Sequence, residues 1–181
     1  MMLKGCLVRA FPAVFGLVAV VVSAVTRPSL AFENQWHLGV GAGLANYDRA
    51  SSIAPAFGVH GAYGLSDSFD ARLELINSWH SSAPLAAALA GITYKLDVIQ
   101  LIPWGGLAVG GYYLGDGLSG KGRNSFEPGV AALLGLDYAW SREWGLSLAF
   151  GLHMLPFAED RTPVALRYTT SMLRIEHRWG W

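Results

Sequence analysis

The stretch WHSSA is the arrangement in this sequence most suggestive of covalent chemistry. It places His80 directly before Ser81 and Ser82. Nucleophilic hydrolysis needs a base within hydrogen-bonding reach of a hydroxyl group, and a third group that orients the base. Glu159 and Asp160 are candidates for that third group. Adjacency in sequence establishes no such geometry, so we expect no catalytic site. His80, Ser81 and Ser82 remain the low-ranking candidates.

The histidines and glycines give no recognisable cofactor site. The spacing H-x₃₋₅-H, typical of zinc ligands, is absent. Four histidines fall on one alternating face of the strands predicted below: His37, His60, His80 and His153. That placement favours packing in an interior over metal binding. The glycine-rich stretches 39–44 and 105–111 do not join a strand to a helix and so predict no phosphate loop. We therefore expect no metal and no cofactor.

Nine charged residues form the most conspicuous polar pattern, because they share the face that alternates with apolar residues. They are Asp70, Arg72, Glu74, Lys95, Asp97, Asp137, Arg174, Glu176 and Arg178. Buried charges must be paired, since an unpaired one costs several kcal/mol. The set holds both signs and predicts an ionic network that fills an interior. The alternative is an ion path or gate, which we disfavour because an eight-stranded barrel is only wide enough inside for side chains.

Three further cations are candidates for binding anions. Lys121 and Arg123 lie in the longest predicted loop, 115–127, and Arg167 lies on the outward face near the top of the last predicted strand. Guanidinium groups match phosphate oxygens well. These residues could therefore contact lipopolysaccharide phosphates or an external partner, and the alternative is a solvated loop without a ligand.

The start of the chain has the pattern of an export signal. Lys4 and Arg9 precede the apolar run 11–25, and the small residues of Ser29-Leu30-Ala31 predict cleavage after position 31. The run is shorter than the roughly 20 residues that span a bilayer. We therefore expect residues 1–31 to be a cleaved signal peptide rather than a membrane anchor.

The remaining domain, 32–181, is unusually poor in charge. Charged residues make up 14% of the whole chain and hydrophobic residues 52%, against roughly 25% charged in ordinary soluble domains. The formal net charge is +0, so bulk electrostatics imply no nucleic-acid partner. Cleavage would also remove Cys6, the single cysteine, so we expect the mature domain to have neither a disulfide nor thiol chemistry.

Alternation of apolar and small or polar residues recurs throughout this domain. In 144–154, for example, Leu146, Leu148 and Phe150 oppose Ser147 and Gly151. Turn residues between such runs predict eight strands: 36–45, 53–65, 69–80, 87–96, 103–114, 128–140, 144–154 and 165–181. Short connectors alternate with mostly longer ones, which is typical of outer-membrane barrels. The predicted fold is all-β, an eight-stranded antiparallel up-and-down transmembrane β-barrel preceded by a cleavable signal peptide.

The two faces of these strands indicate which side meets lipid. One face combines glycines with the nine charges, as a narrow interior requires. The other is almost continuously aliphatic and aromatic, and in water it would exceed the few hundred Å² of apolar patch that a soluble monomer tolerates. The outward face is therefore predicted to contact lipid. Aromatic residues near the short turns are predicted to form an interfacial girdle: Tyr63, Tyr94, Tyr138, Trp140, Trp144, Trp179 and Trp181.

The chain resembles the OmpA/OmpX-type family of small eight-stranded outer-membrane barrels. The resemblance rests on the signal peptide and on three segments: 61–75, 94–113 and the final strand, which ends LRIEHRWGW. It implies that Trp179 and Trp181 belong to a C-terminal signal read by the barrel-assembly machinery. Glu176 stands where that family usually has glycine. The family hosts scaffolds, adhesins, proteases and lipid-modifying enzymes, so the fold alone does not specify an activity.

We accordingly expect an integral outer-membrane protein with a non-enzymatic role in envelope structure or surface interaction. Its partners would be outer-membrane lipids, lipopolysaccharide and the assembly machinery. One alternative is a hydrolase similar to lipid A deacylases that uses His80 and a neighbouring serine. Those enzymes carry an asparagine after the serine, where this chain reads Ser-Ser-Ala. The second alternative is a soluble barrel that binds a small ligand.

Overall fold

The computed structural model describes residues 34–48, 53–80, 83–96, 100–119, 122–156 and 166–180. Eight strands and a one-turn helix, α1, make up this part of the chain. They are β1 Trp36–Tyr47, β2 Ala54–Gly64, β3 Phe69–Trp79, β4 Pro84–Lys95, β5 Leu101–Leu114, α1 Asp116–Ser119, β6 Ser125–Ala139, β7 Trp144–Leu155 and β8 Leu166–Trp179. No described helix has the length and hydropathy needed to cross a membrane.

Each strand pairs antiparallel with the next, and β8 closes on β1. The predicted eight-stranded up-and-down barrel is therefore confirmed. Strands β1 and β2 are joined on the loop side, and β2 and β3 by the short turn 65–68 on the turn side; these two names are used below for the ends of the barrel. The predicted signal peptide lies outside the described residues.

Three strands begin earlier than the sequence predicted, β5 by two residues and β4 and β6 by three each. β4 starts at Pro84 instead of 87, since proline is tolerated as the first residue of a strand and needs no ladder hydrogen bond there. The predicted connector 81–86 is correspondingly shorter. β6 starts at Ser125 instead of 128 because Phe126 points outward and Glu127 inward, which continues the alternation through Pro128. Glu127 is thereby an inward-facing residue that the prediction had left in a loop.

The outward face is the apolar one. Leu107 is 72% exposed and Leu73 65%, whereas Asp70 is 0% exposed. Leu148 and Phe150 also point outward, so the large apolar side chains do not converge on a central core. The small interior accepts little bulk at some glycines: a Cβ on Gly43 would overlap the carbonyl oxygen of Ser171 on β8. The outer surface of the barrel is therefore apolar, and side chains fill its interior.

Rings gather at the turn side of the outward wall. Trp36 lies opposite both Tyr63 and Trp179, and its ring centroid is 4.8 Å from that of Tyr63. His177, whose outward position had no explanation from sequence, packs between two indoles. Its ring lies 4.7 Å from Trp144 and 5.5 Å from Trp179. The imidazole is therefore part of the aromatic girdle.

Candidate functional site in the barrel interior

The interior is divided into two zones along the barrel axis. The turn-side zone holds eight buried charged side chains, and the loop-side zone holds tyrosines, histidines, aliphatic residues and the carboxylate of Glu127. The register explains this division, because Arg174 lies beside Gly41 while Tyr168 lies beside Tyr47 at the opposite end of the same strand pair.

The first part of the charged zone centres on Glu74 of β3. Arg174 reaches across the interior from β8, and its Nη2 atom donates to Glu74 Oε1. Arg72 Nε lies 3.6 Å from Glu74 Oε2. The guanidinium carbon of Arg72 also lies 4.4 Å from the centroid of the Trp104 ring, a distance typical of cation–π attraction. A single carboxylate thus faces two guanidinium groups.

The second part centres on Asp137 of β6. Its Oδ1 atom accepts hydrogen bonds from Trp104 Nε1 at 2.7 Å and from Ser147 Oγ at 2.6 Å. Arg178 Nη2 lies 3.7 Å from Asp137 Oδ2 and 3.3 Å from Glu176 Oε2. Because Trp104 contacts both Arg72 and Asp137, the indole joins the two parts into one network. Its nitrogen is a neutral donor in an otherwise ionic site.

His60 and Lys95 complete the charged zone. His60 Nε2 lies 3.0 Å from Glu176 Oε1, and Lys95 forms an ion pair with Asp70 at the turn side. The structure therefore brings eight of the nine predicted residues into the buried interior, and Asp97 lies outside the described residues. Sequence reasoning placed His60 and Ser147 on the inward face without assigning them to the network, and it missed Trp104. Inward parity does not indicate which partners these side chains contact.

The loop-side zone contains a hydrogen-bonded cluster of tyrosine, histidine, serine and threonine side chains. Tyr112 Oη and His153 Nδ1 are 2.9 Å apart, and His153 Nε2 lies 3.2 Å from Thr170 Oγ1. A second chain of hydrogen bonds involves Ser78. The Tyr168 hydroxyl donates to Ser78 Oγ at 3.2 Å, and His80 Nε2 lies 3.4 Å from the same Oγ atom. We refer to the residues of both chains, together with Tyr47, as the aromatic layer.

Helix α1 packs over the aromatic layer. The Tyr47 hydroxyl donates to the backbone oxygen of Leu118 at 3.4 Å, and the Leu118 and Ser119 side chains are buried. Fully buried Leu85, Leu114 and Leu155 fill the space beside the tyrosines. The described residues therefore leave no wide aqueous channel through this zone.

Replacing Tyr112 by phenylalanine isolates one hydrogen bond of the aromatic layer. The ring volume is kept, but the His153 Nδ1 atom loses its partner, so we expect the free energy of unfolding to fall by about 1–3 kcal/mol. Urea titration of the folded barrel in lipid vesicles, followed by tryptophan fluorescence, measures the change. Tyr113→Phe is the matched control, because Tyr113 is the next residue on the same strand and points outward. Equal stability of both variants would contradict the role given to the hydroxyl.

Among the described residues, the hydroxyl group within reach of His80 is that of Ser78. Ser81 and Ser82 lie outside the described residues, as do Glu159 and Asp160. His80 points into the barrel and is only 6% exposed, and its neighbour is Ser78, two residues earlier on the same face. His80 and Ser78 are therefore part of the buried aromatic layer and do not face the surrounding lipid.

The remaining candidate residues lie apart from the interior. Arg123 and Arg167 are exposed at the loop side. The backbone N–H of Arg167 donates to Asp48 Oδ2, 3.2 Å away, and the carbonyl of Arg123 accepts from Ser119 Oγ. Trp179 faces outward in the girdle. Lys121 and Trp181 lie outside the described residues. Within the described part of the chain, no three His, Cys, Asp or Glu side chains are grouped as a metal site.

The fold matches that of known outer-membrane proteins. No family model matches the sequence, and no curated protein matches it either. The chain is similar to neisserial surface protein A, with a TM-score of 0.62 and 13% identity over 81% of this chain and 98% of that one. It is also similar to OprG from Pseudomonas aeruginosa, with a TM-score of 0.53 and 12% identity over 82% and 97%. For Ail from Yersinia pestis the TM-score is 0.54, with 12% identity over 81% and 99%. These likenesses show the fold, that of the small outer-membrane barrels.

Proposed function

We propose that this chain is an integral outer-membrane barrel of the OmpA/OmpX type, with a non-enzymatic role in envelope structure or surface interaction. The observation that carries the proposal is the combination of an apolar outward wall with a filled interior. The wall needs lipid, because a surface with Leu73 and Leu107 more than half exposed is unfavourable in water. The filled interior supports a rigid scaffold over a diffusion pore.

Extraction and gel migration test the membrane assignment. A barrel held by its complete ring of strands stays folded in detergent without heating and migrates differently after boiling. We therefore expect the protein to be in the outer-membrane fraction, to need detergent for extraction and to show heat-modifiable migration. Purification from the soluble fraction without detergent would instead support a soluble binding barrel.

Comparison of lipid A tests the absence of enzymatic activity. His80 has a hydroxyl neighbour, but both groups are enclosed within the barrel. Mass spectrometry of lipid A from cells that express the wild type or His80→Ala is expected to give the same acylation pattern, equal to that of cells without the protein. Loss of an acyl chain with the wild type alone would contradict the proposal.

Lipopolysaccharide is the surface partner that the loop-side cations favour. Arg167 faces outward where β8 begins, and Arg123 is exposed beyond β5. We expect Arg123→Gln combined with Arg167→Gln to weaken retention of lipopolysaccharide in mixed micelles, and the effect to shrink at high salt because exposed charges are screened. Arg142→Gln in the exposed turn at the opposite end is the control. Equal retention of lipopolysaccharide by both variants would contradict the binding role given to Arg123 and Arg167.

A further inference from the structure

The apolar part of the outward wall is shorter on β8 than on β6. On β8 the outward side chains are aromatic or aliphatic from Trp179 in the turn-side girdle to Leu173, six residues away. On β6 they remain so from Tyr138 to Phe126, which is twelve residues away. At about 3.3 Å per residue and a tilt of about 40°, each residue rises about 2.5 Å along the membrane normal. The apolar surface is therefore about 15 Å tall on β8 and about 30 Å on β6, against about 25 Å in typical barrels of this kind.

Polar side chains take the place of the missing apolar surface. Ser171, Thr169 and Arg167 follow Leu173 at successive outward positions of β8. Asn46 of β1 lies opposite Thr169 and also faces outward. We call Ser171, Thr169, Arg167 and Asn46 the polar strip. Because Ser171 lies about 20 Å above the girdle, the strip begins at a height where acyl chains surround an ordinary barrel.

The strip is confined to one side of the barrel. On β3, Asn77 interrupts the outward apolar residues, but they resume at Trp79. On β7, the other neighbour of β8, they continue to Met154. Among the described strands, adjacent polar side chains therefore face the acyl band only at β8 and β1.

A tilt of the whole barrel would not explain this difference in height. On seven of the eight described strands, the outward residue nearest the turn-side end is aromatic. The girdle is therefore level with the strand ends, and a rigid tilt would lift one side of it out of the interface that aromatic residues prefer. A short apolar surface can otherwise be matched by a thinner bilayer or covered by another protein.

The chemistry of the strip favours lipid headgroups over a second copy of the chain. The hydroxyls of Ser171 and Thr169 and the guanidinium of Arg167 are donors, and the phosphate and ester oxygens of headgroups accept hydrogen bonds. Asp48 lies beside Arg167, whose backbone N–H it accepts at 3.2 Å. A second copy related by a two-fold axis along the membrane normal would bring two Arg167 side chains to the same height, where like charges repel.

We propose that the polar strip contacts the headgroups of the loop-side leaflet, so that this leaflet is locally thin beside β8 and β1. Headgroup oxygens accept from Arg167, Thr169 and Ser171, and acyl chains reach full length only on the opposite side of the barrel. The inference goes beyond the proposed function and rests on it, since it requires the outward wall to lie in a bilayer.

The depth of two nitroxide labels in the membrane tests the proposal. Cys6, the single cysteine, lies in the predicted signal peptide, so one introduced cysteine carries the label. Leu44→Cys places it on β1 opposite Ser171, and Val130→Cys places it on β6. Each position is eight residues from the girdle residue of its own strand, Trp36 or Tyr138. Power saturation with oxygen and with a water-soluble nickel chelate should place the label at 44 about 5 Å or more closer to water than the label at 130.

Two double variants in the Leu44→Cys background isolate the hydroxyl groups. Thr169→Leu with Ser171→Leu extends the apolar surface and should shift the label at 44 to the depth of the label at 130. Thr169→Ser with Ser171→Thr keeps both hydroxyls and should leave that depth unchanged.

Equal depth of the labels at 44 and 130 without these changes would overturn the proposal. So would an unchanged depth in the double leucine variant, because the hydroxyls would then not hold the headgroups. Shielding of the label at 44 from both reagents would also overturn it, since another protein would then cover the strip. Heat-modifiable migration of each variant separates these outcomes from failure to insert, which would count against the proposed function instead.

Discussion

Replacing Arg174 by methionine is expected to lower the free energy of unfolding by about 3 kcal/mol. Removing one partner of a buried ion pair typically costs about 3–5 kcal/mol, because the remaining charge is left in a poorly solvating interior. Here the remaining charge is Glu74, which Arg174 contacts from the opposite side of the barrel. The lower end of the range applies because Arg72 stays within 3.6 Å of Glu74. Urea titration in lipid vesicles measures the loss.

Two further variants separate the ion pair from general damage to the strand. Arg167→Met changes the same residue type on the same strand, but at an exposed position, and should alter stability by no more than about 0.5 kcal/mol. The double variant Glu74→Gln with Arg174→Met also removes the carboxylate that Arg72 contacts. It should be less stable than Arg174→Met alone, since the ion pair between Arg72 and Glu74 survives in the single variant and is lost in the double one. A double variant more stable than the single one would contradict the explanation.

Replacing Gly43 by alanine is expected to destabilise the barrel by about 3 kcal/mol or to prevent closure. The added Cβ would overlap the Ser171 carbonyl oxygen, which belongs to the backbone of β8 and cannot rotate away. Relief therefore requires movement of β1 against β8, the two strands whose pairing closes the ring. Overpacking of this kind costs about 1–3 kcal/mol in ordinary cores and occasionally more. The folded fraction on an unheated gel, together with urea titration, measures the effect.

Gly61→Ala is the control for this experiment. The nearest atom to its added Cβ, the His37 carbonyl oxygen, is 3.8 Å away, which is an ordinary van der Waals contact. Alanine also restricts the unfolded chain more than glycine does, so the variant should be neutral or slightly more stable. If Gly43→Ala and Gly61→Ala behaved alike, steric overlap with β8 would not be the reason for glycine at position 43.

Strand alternation made the fold and its faces predictable from sequence. A strand places successive side chains on opposite faces, so that Asp70, Arg72 and Glu74 had to share one face of β3 wherever that strand lay. The large apolar side chains on the other face then indicated that the charged face is the inner one. Strand ends were less predictable: Phe126 and Glu127 continue the alternation across Pro128, although proline often marks the end of a regular element.

The pairing of the charges could not be predicted in the same way. Arg174 and Glu74 lie on strands that are not neighbours in the ring, and their contact depends on the stagger of the intervening strands and on side-chain length. Local patterns carry no information on that stagger. The same holds for Trp104, which serves both Arg72 and Asp137. At His80, adjacency in sequence suggested Ser81, but period two favours Ser78 as the neighbour on the same face.

The aromatic layer has an electrical consequence for the whole molecule. An ion that entered from the turn side would meet compensating charges in the lower half, but Tyr47, Tyr112 and Tyr168 offer only neutral dipoles above them. Glu127 is the one carboxylate among the described inward-facing residues of that upper half. We therefore expect that rearranging the salt bridges alone would not open a path for ions through the described part of the barrel, because the uncharged tyrosines above them would remain in place.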